Sequence, residues 1–103
     1  MITTHVLDVT TGRPAAGVRV TLERGGDGWT VVGTAQTDAD GRARFADPLE
    51  QSIYRLTFDT ALYFGGEPFF PSATIVFDVR DPSQKYHVPL LASPFAYSTY
   101  RGS

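Results

Sequence analysis

Two histidines, an arginine behind a tight turn and a hydroxyl-rich C-terminal stretch are the groups in this chain with types suited to chemistry. His5 and His87 are its only histidines. An imidazole titrates near neutrality, so either can act as general base toward water at physiological pH. The plainer reading of each is a hydrogen-bonded structural or surface residue. Arg42 directly follows Asp40-Gly41. Its guanidinium offers a rigid fork of donors to an anion or a polarised carbonyl, and its plainer reading is a solvated side chain at the entrance to a strand. Arg44 falls on the same side as Arg42 by alternation. The chain closes on Tyr97-Ser-Thr-Tyr-Arg-Gly-Ser103. A strand running into that end would hold Arg101, Ser103 and the terminal carboxylate at a fixed place, which makes the end of the chain a candidate part of a site.

Other chemistries find little support. The chain has no cysteine, which removes disulfides, thiolate catalysis and cysteine metal sites together. Two histidines with nearby aspartates lack the paired spacing of a zinc site. Asp38-Ala-Asp-Gly41 resembles the start of a calcium loop but lacks its third acidic ligand and distal glutamate, so it reads as a turn. There is no phosphate-binding glycine loop and no Gly-x-Ser-x-Gly elbow. A net charge of -2 argues against nucleic acid as a partner, and no apolar run approaches the roughly 18–20 residues that would cross a bilayer. The first residues lack a basic-then-apolar leader, so the expected location is the cytoplasm. At 103 residues with 42% apolar content, the expectation is one globular domain over 1–103.

The elements that must position these groups are short strands. Thr4 to Asp8 is followed by a cluster of turn formers, and Val18, Val20 and Leu22 alternate with polar residues. Gly25-Gly26-Asp27-Gly28 turns the chain into a strand at Trp29 to Ala35. Further strands are expected at Arg42–Phe45, Ile53–Phe58, Ala73–Val79, Tyr86–Ala92 and Phe95–Arg101, with one short helix at Thr60–Gly66. About eight strands in this spacing predict an all-β Greek-key sandwich. The period of two puts His5 with Leu7, His87 with Pro89 and Leu91, and Ser98 with Tyr100, on faces turned away from Val6, Val88 and Leu90. That outer surface is apolar for a solvated face, and such surfaces usually meet another chain. Tyr54, Phe69, Phe70 and Phe77 read as core, and Trp29 as an edge or sheet-face residue.

Three blocks of this pattern resemble the 5-hydroxyisourate hydrolase family, the transthyretin-related enzymes of urate breakdown. They are His5-Val-Leu-Asp-Val-Thr-Thr-Gly-Arg-Pro-Ala15, Thr37-Asp-Ala-Asp-Gly-Arg42 and Tyr86-His-Val-Pro-Leu-Leu-Ala-Ser-Pro-Phe-Ala-Tyr-Ser-Thr-Tyr-Arg-Gly-Ser103. The first two are weak alone, because many sandwich modules begin similarly; the third is specific. The hormone carrier transthyretin shares part of the last block but lacks histidine at the positions of His5 and His87 and arginine at that of Arg42. Phe95-Ala96 stands where the enzymes more often carry Tyr-Gly.

The resemblance implies a transthyretin-like (prealbumin-like) fold and a homotetramer, a dimer of dimers, with sites in a channel between dimers. It implies hydrolysis of a small, planar, oxidised purine, 5-hydroxyisourate, to the ring-opened 2-oxo-4-hydroxy-4-carboxy-5-ureidoimidazoline, with no metal and no cofactor. The matching catalytic positions are His5, Arg42, His87 and Ser103. Ser98, Tyr100, Arg101 and Gly102 join His5 and Arg42 in holding substrate. In this scheme His87 is the preferred base, Arg42 with Arg101 stabilises the carbonyl oxygen, His5 places water or substrate, and Ser103 orients a histidine or binds a ring amide. Two rivals stand beside it: a carrier of the same fold that binds a small aromatic without chemistry, and a monomeric structural module.

Overall fold

The structure, a computed structural model, describes residues 1–103. Ten strands and one helix follow one another: β1 (Ile2–Asp8), β2 (Arg13–Pro14), β3 (Arg19–Gly26), β4 (Gly28–Gln36), β5 (Arg42–Phe45), β6 (Ser52–Phe58), α1 (Thr60–Phe64), β7 (Ala73–Val79), β8 (Tyr86–His87), β9 (Leu90–Ser93) and β10 (Ala96–Thr99). One sheet runs β10-β9-β1-β2, with β5 and β8 also paired to β1; the other runs β4-β3-β6-β7. The two enclose a core of Ile2, Val6, Val20, Leu22, Tyr54, Leu56, Phe58, Val88 and Leu90. This is the expected prealbumin-like β-sandwich. No helix is long and apolar enough to cross a membrane.

Strand β1 organises the first sheet. Its burial alternates strictly, with Ile2, Thr4, Val6 and Asp8 inward and Thr3, His5 and Leu7 on the other side. Four neighbours (β2, β5, β8 and β9) share its two edges, and that is possible only because each is short. The stretch expected as one strand from Tyr86 to Ala92 is two, β8 against Ile2–Thr3 and β9 against Val6–Asp8. Pro89 causes the break: it has no N–H to give to the ladder. The Thr4 hydroxyl covers the gap by donating to the Val88 carbonyl at 2.6 Å, while the Val88 amide donates to the Thr3 carbonyl at 2.9 Å. Strand β10 also ends earlier than expected, at Thr99, for the same reason. Its antiparallel register on β9 carries past Pro89 and resumes in a single bridge between Gly102 and His87.

The Asp38–Gly41 turn delivers Arg42 to β5. Asp38 Oδ1 accepts the amides of Asp40 and Arg42 at 2.9 and 3.0 Å. Gly41 has φ of 75°, and a Cβ there would run into the Val6 carbonyl and the Pro14 side chain. Only glycine meets both conditions. Gly41→Ala is therefore expected to cost about 1–3 kcal/mol of stability, to be read from the shift in a urea unfolding midpoint; an unchanged midpoint would contradict the strain at this turn.

Two expectations about packing are corrected. Phe69 is 71% exposed and not core. Pro68 and Pro71 bracket it in a loop that cannot join a ladder, and its ring stands edge-on to Phe70, which in turn stands edge-on to Tyr97. Helix α1 stops at Phe64, because Gly65 and Gly66 both adopt positive φ. Tyr54 is buried and Phe77 half-buried beside it, as expected. Trp29 lies on edge strand β4 with the Arg55 guanidinium 4.2 Å from its ring centroid.

Candidate active site

Register assembles the site. Across β5, β1 and β8, Arg44, Thr3 and His87 form one row, since Thr3 is opposite both of the others. The next row along β1 pairs Arg42 with His5. Opposed residues in adjacent strands project from the same face. Thr3, His5, Arg42, Arg44 and His87 therefore crowd one patch of the outer surface of the first sheet. A cavity of about 330 Å³ opens there, lined by Thr3, Asp38, Arg42, Arg44, Lys85, His87 and Ser103 among others. That volume suits a small heterocycle. Ala43 is the only hydrophobic residue in the lining.

His87 is held from three directions. Its Nδ1 lies 2.8 Å from the Thr3 hydroxyl oxygen. Its carbonyl accepts the Gly102 amide at 2.8 Å. A Cβ on Gly102 would collide with Cδ2 of the imidazole, so the ring is packed directly against the glycine. With Nδ1 and Cδ2 so engaged, Nε2 is the ring atom left for a ligand or water. Burial first, then the charges of Arg42, His5 and Lys85, push the His87 pKa below its usual 6.5, against a weaker opposing pull from the Thr3 backbone. A half-buried imidazole among cations disfavours its own protonated form. The neutral form thus persists at physiological pH, which is the state a base requires.

The remaining candidate residues divide. His5 flanks the cavity beside Arg42 without lining it. Ser103 lines it. Arg101 does not: its guanidinium sits 4.9 Å over the Tyr86 ring and donates to Gln84 at 3.1 Å. Tyr86 is buried on the opposite side of β8 from His87, so within one chain Arg101 is turned away from Arg42. Tyr100 and Arg101 line a second cavity of about 290 Å³ against Phe77 and Tyr86. Ser98 faces Leu91 on β10, exposed and outside both cavities. Thr3 and Lys85 were not singled out from the sequence. Alternation back from His5 places Thr3 on the same face, so that signal was available. Nothing in the pattern marked Lys85.

A family profile described as the HIUase/Transthyretin family matches residues 2–102. A bifunctional uric acid degradation protein from Arabidopsis thaliana is 51% identical over 99% of this chain, which spans 37% of that protein's length. A 5-hydroxyisourate hydrolase from Deinococcus radiodurans is 49% identical, covering 99% of this chain and 95% of that one. Among solved structures, the Klebsiella pneumoniae 5-hydroxyisourate hydrolase superposes with a TM-score of 0.87 at 40% identity, covering 99% and 98% of the two chains. Sea bream transthyretin in complex with thyroxine superposes with a TM-score of 0.88 at 33% identity, covering 98% and 93%. Backbone likeness therefore does not separate an enzyme from a carrier. The residues on the outer face of the first sheet must do that.

Proposed function

The chain belongs to the HIUase/Transthyretin family, and we propose that within it this protein is a 5-hydroxyisourate hydrolase rather than a carrier. The observation that carries the choice is the patch of Thr3, His5, Arg42, Arg44 and His87 on one face. A carrier of an aromatic needs an apolar slot, whereas this cavity is lined by charged and hydrogen-bonding groups.

The residues divide the work as follows. With its proton on Nδ1, His87 donates to the Thr3 hydroxyl and leaves the Nε2 lone pair free. Nε2 takes a proton from water as the water oxygen bonds to the lactam carbonyl carbon. The Arg42 guanidinium stabilises the charge that develops on the carbonyl oxygen. The C–N bond then breaks, and His87 returns its proton to the departing ring nitrogen. His5, beside Arg42, positions substrate or water. Ser103 binds a ring amide or orients an imidazole. Arg101 enters this scheme only if association of subunits presents it to a neighbouring cavity.

That association is part of the proposal. Strands β7 and β10 end their sheets with unpaired backbone edges, and open edges invite pairing with another chain. Phe69, Phe95 and Tyr97 stand exposed near β10 or in the loop before β7. A homotetramer, a dimer of dimers with the patches facing a shared channel, would use both features. We place the protein in the cytoplasm as a single catalytic domain over 1–103.

The test follows urate oxidation by urate oxidase in the ultraviolet. Adding the protein is expected to speed the decay of the oxidation product's band, and gel filtration to give a mass of about four chains. Unchanged decay would refute the hydrolase reading, and elution as a monomer would refute the shared channel.

A further inference from the structure

We infer that Arg44 and Lys85 form an anion subsite beside the reacting carbonyl, and that this subsite takes the carboxylate which ring opening creates. The inference rests on the hydrolase reading above and adds a ligand-binding role for two residues outside that mechanism. Arg44 shares the row of Thr3 and His87 across three strands. Lys85, the only lysine of the chain, precedes β8 and lines the same cavity. Its charge is felt at His87, which places it within electrostatic reach of the reacting centre.

Both side chains are exposed, and neither has a counter-ion. The ion pairs of the chain are Arg24–Glu50, Arg55–Glu23 and Arg80–Asp78, all away from this face. Arg42 is likewise unpaired. Asp38, the acidic side chain in the lining, has Oδ1 occupied by the amides of Asp40 and Arg42. Three cations therefore line one small cavity that holds a single acidic side chain, Asp38, and like charges so placed repel unless a further anion joins them. The developing oxyanion engages one of the three, Arg42. Two remain.

The stoichiometry of the reaction supplies their ligand. The water oxygen bonds to the carbonyl carbon and the C–N bond breaks. One water proton goes to the ring nitrogen through His87, and the other leaves to solvent because the new acid is ionised at neutral pH. Each turnover thus adds one negative charge, spread over two oxygens, at the carbon that Arg42 addresses. A guanidinium and an ammonium lining one cavity suit a carboxylate, since bonds from charged donors to a carboxylate are the strong ones.

Equilibrium binding of orotate, a planar ring with a carboxylate, and of uracil, the same ring without it, tests this without turnover. The wild-type chain is expected to prefer orotate by about 10-fold or more. Arg44→Gln with Lys85→Gln, both at exposed positions, should remove that preference. In the assay, inhibition by the ring-opened product should weaken by about 10-fold in the double variant, with a smaller change in substrate KM. An orotate preference that survives both substitutions would overturn the subsite. A raised KM with unchanged product inhibition would also overturn it, by assigning the pair to the substrate's own charge. Absence of turnover in the wild type would instead strike at the hydrolase reading, and is distinguishable because the binding arm needs no catalysis.

Discussion

His87→Ala is expected to lower kcat by roughly 10²-fold or more, the scale on which a general base contributes, with the fold intact. The ring touches solvent and the outer face, not the hydrophobic interior, so its loss leaves no core cavity. Circular dichroism and the unfolding midpoint should match wild type while turnover collapses. A near-wild-type rate would remove His87 from the mechanism. The same group sets the pH profile. Water attack needs the neutral imidazole, and burial together with the cations around it holds the pKa below 6.5. As pH falls, kcat/KM should therefore decline with a midpoint below the ordinary histidine value of 6.5. Lys85→Gln removes one of the depressing charges, so the acid limb should move toward higher pH. A limb at or above the ordinary histidine value in the wild type would contradict the environment described here.

The second large effect belongs to Arg42. Arg42→Ala should reduce kcat by about 10²–10³-fold, the cost of losing one donor to a developing oxyanion. Arg42→Lys should recover only part of it, because an ammonium cannot present a planar fork. The side chain is exposed and free of ion pairs, so stability should be unmoved by either change. An equal rise in KM with kcat preserved would make Arg42 a binding residue and place the oxyanion elsewhere.

Much of this arrangement was legible from alternation alone. A period of two puts His5 and Thr3 together, and the same rule separates His87 from Tyr86 and Val88. That inward and outward sorting needs no knowledge of neighbours. What the pattern could not carry is pairing between distant segments. That β5 and β8 flank the same strand, and so bring Arg42 and His87 onto one face, depends on register between residues far apart in the chain. Pro89 was visible, yet its effect, a ladder that stops and resumes two residues on, requires knowing which partner lost a bond. Phe69 misled for a related reason: hydrophobicity argues for burial, and only the loop held by Pro68 and Pro71 shows that it stays outside.

The contact between Gly102 and the imidazole of His87 ties two distant positions into one evolutionary unit. While the imidazole is kept, any side chain at 102 must displace it, so neither residue is free to drift by itself. A descendant that abandoned hydrolysis and replaced the histidine with something smaller would, in the same stroke, release the glycine, and the two losses should appear together across the lineages that made that change.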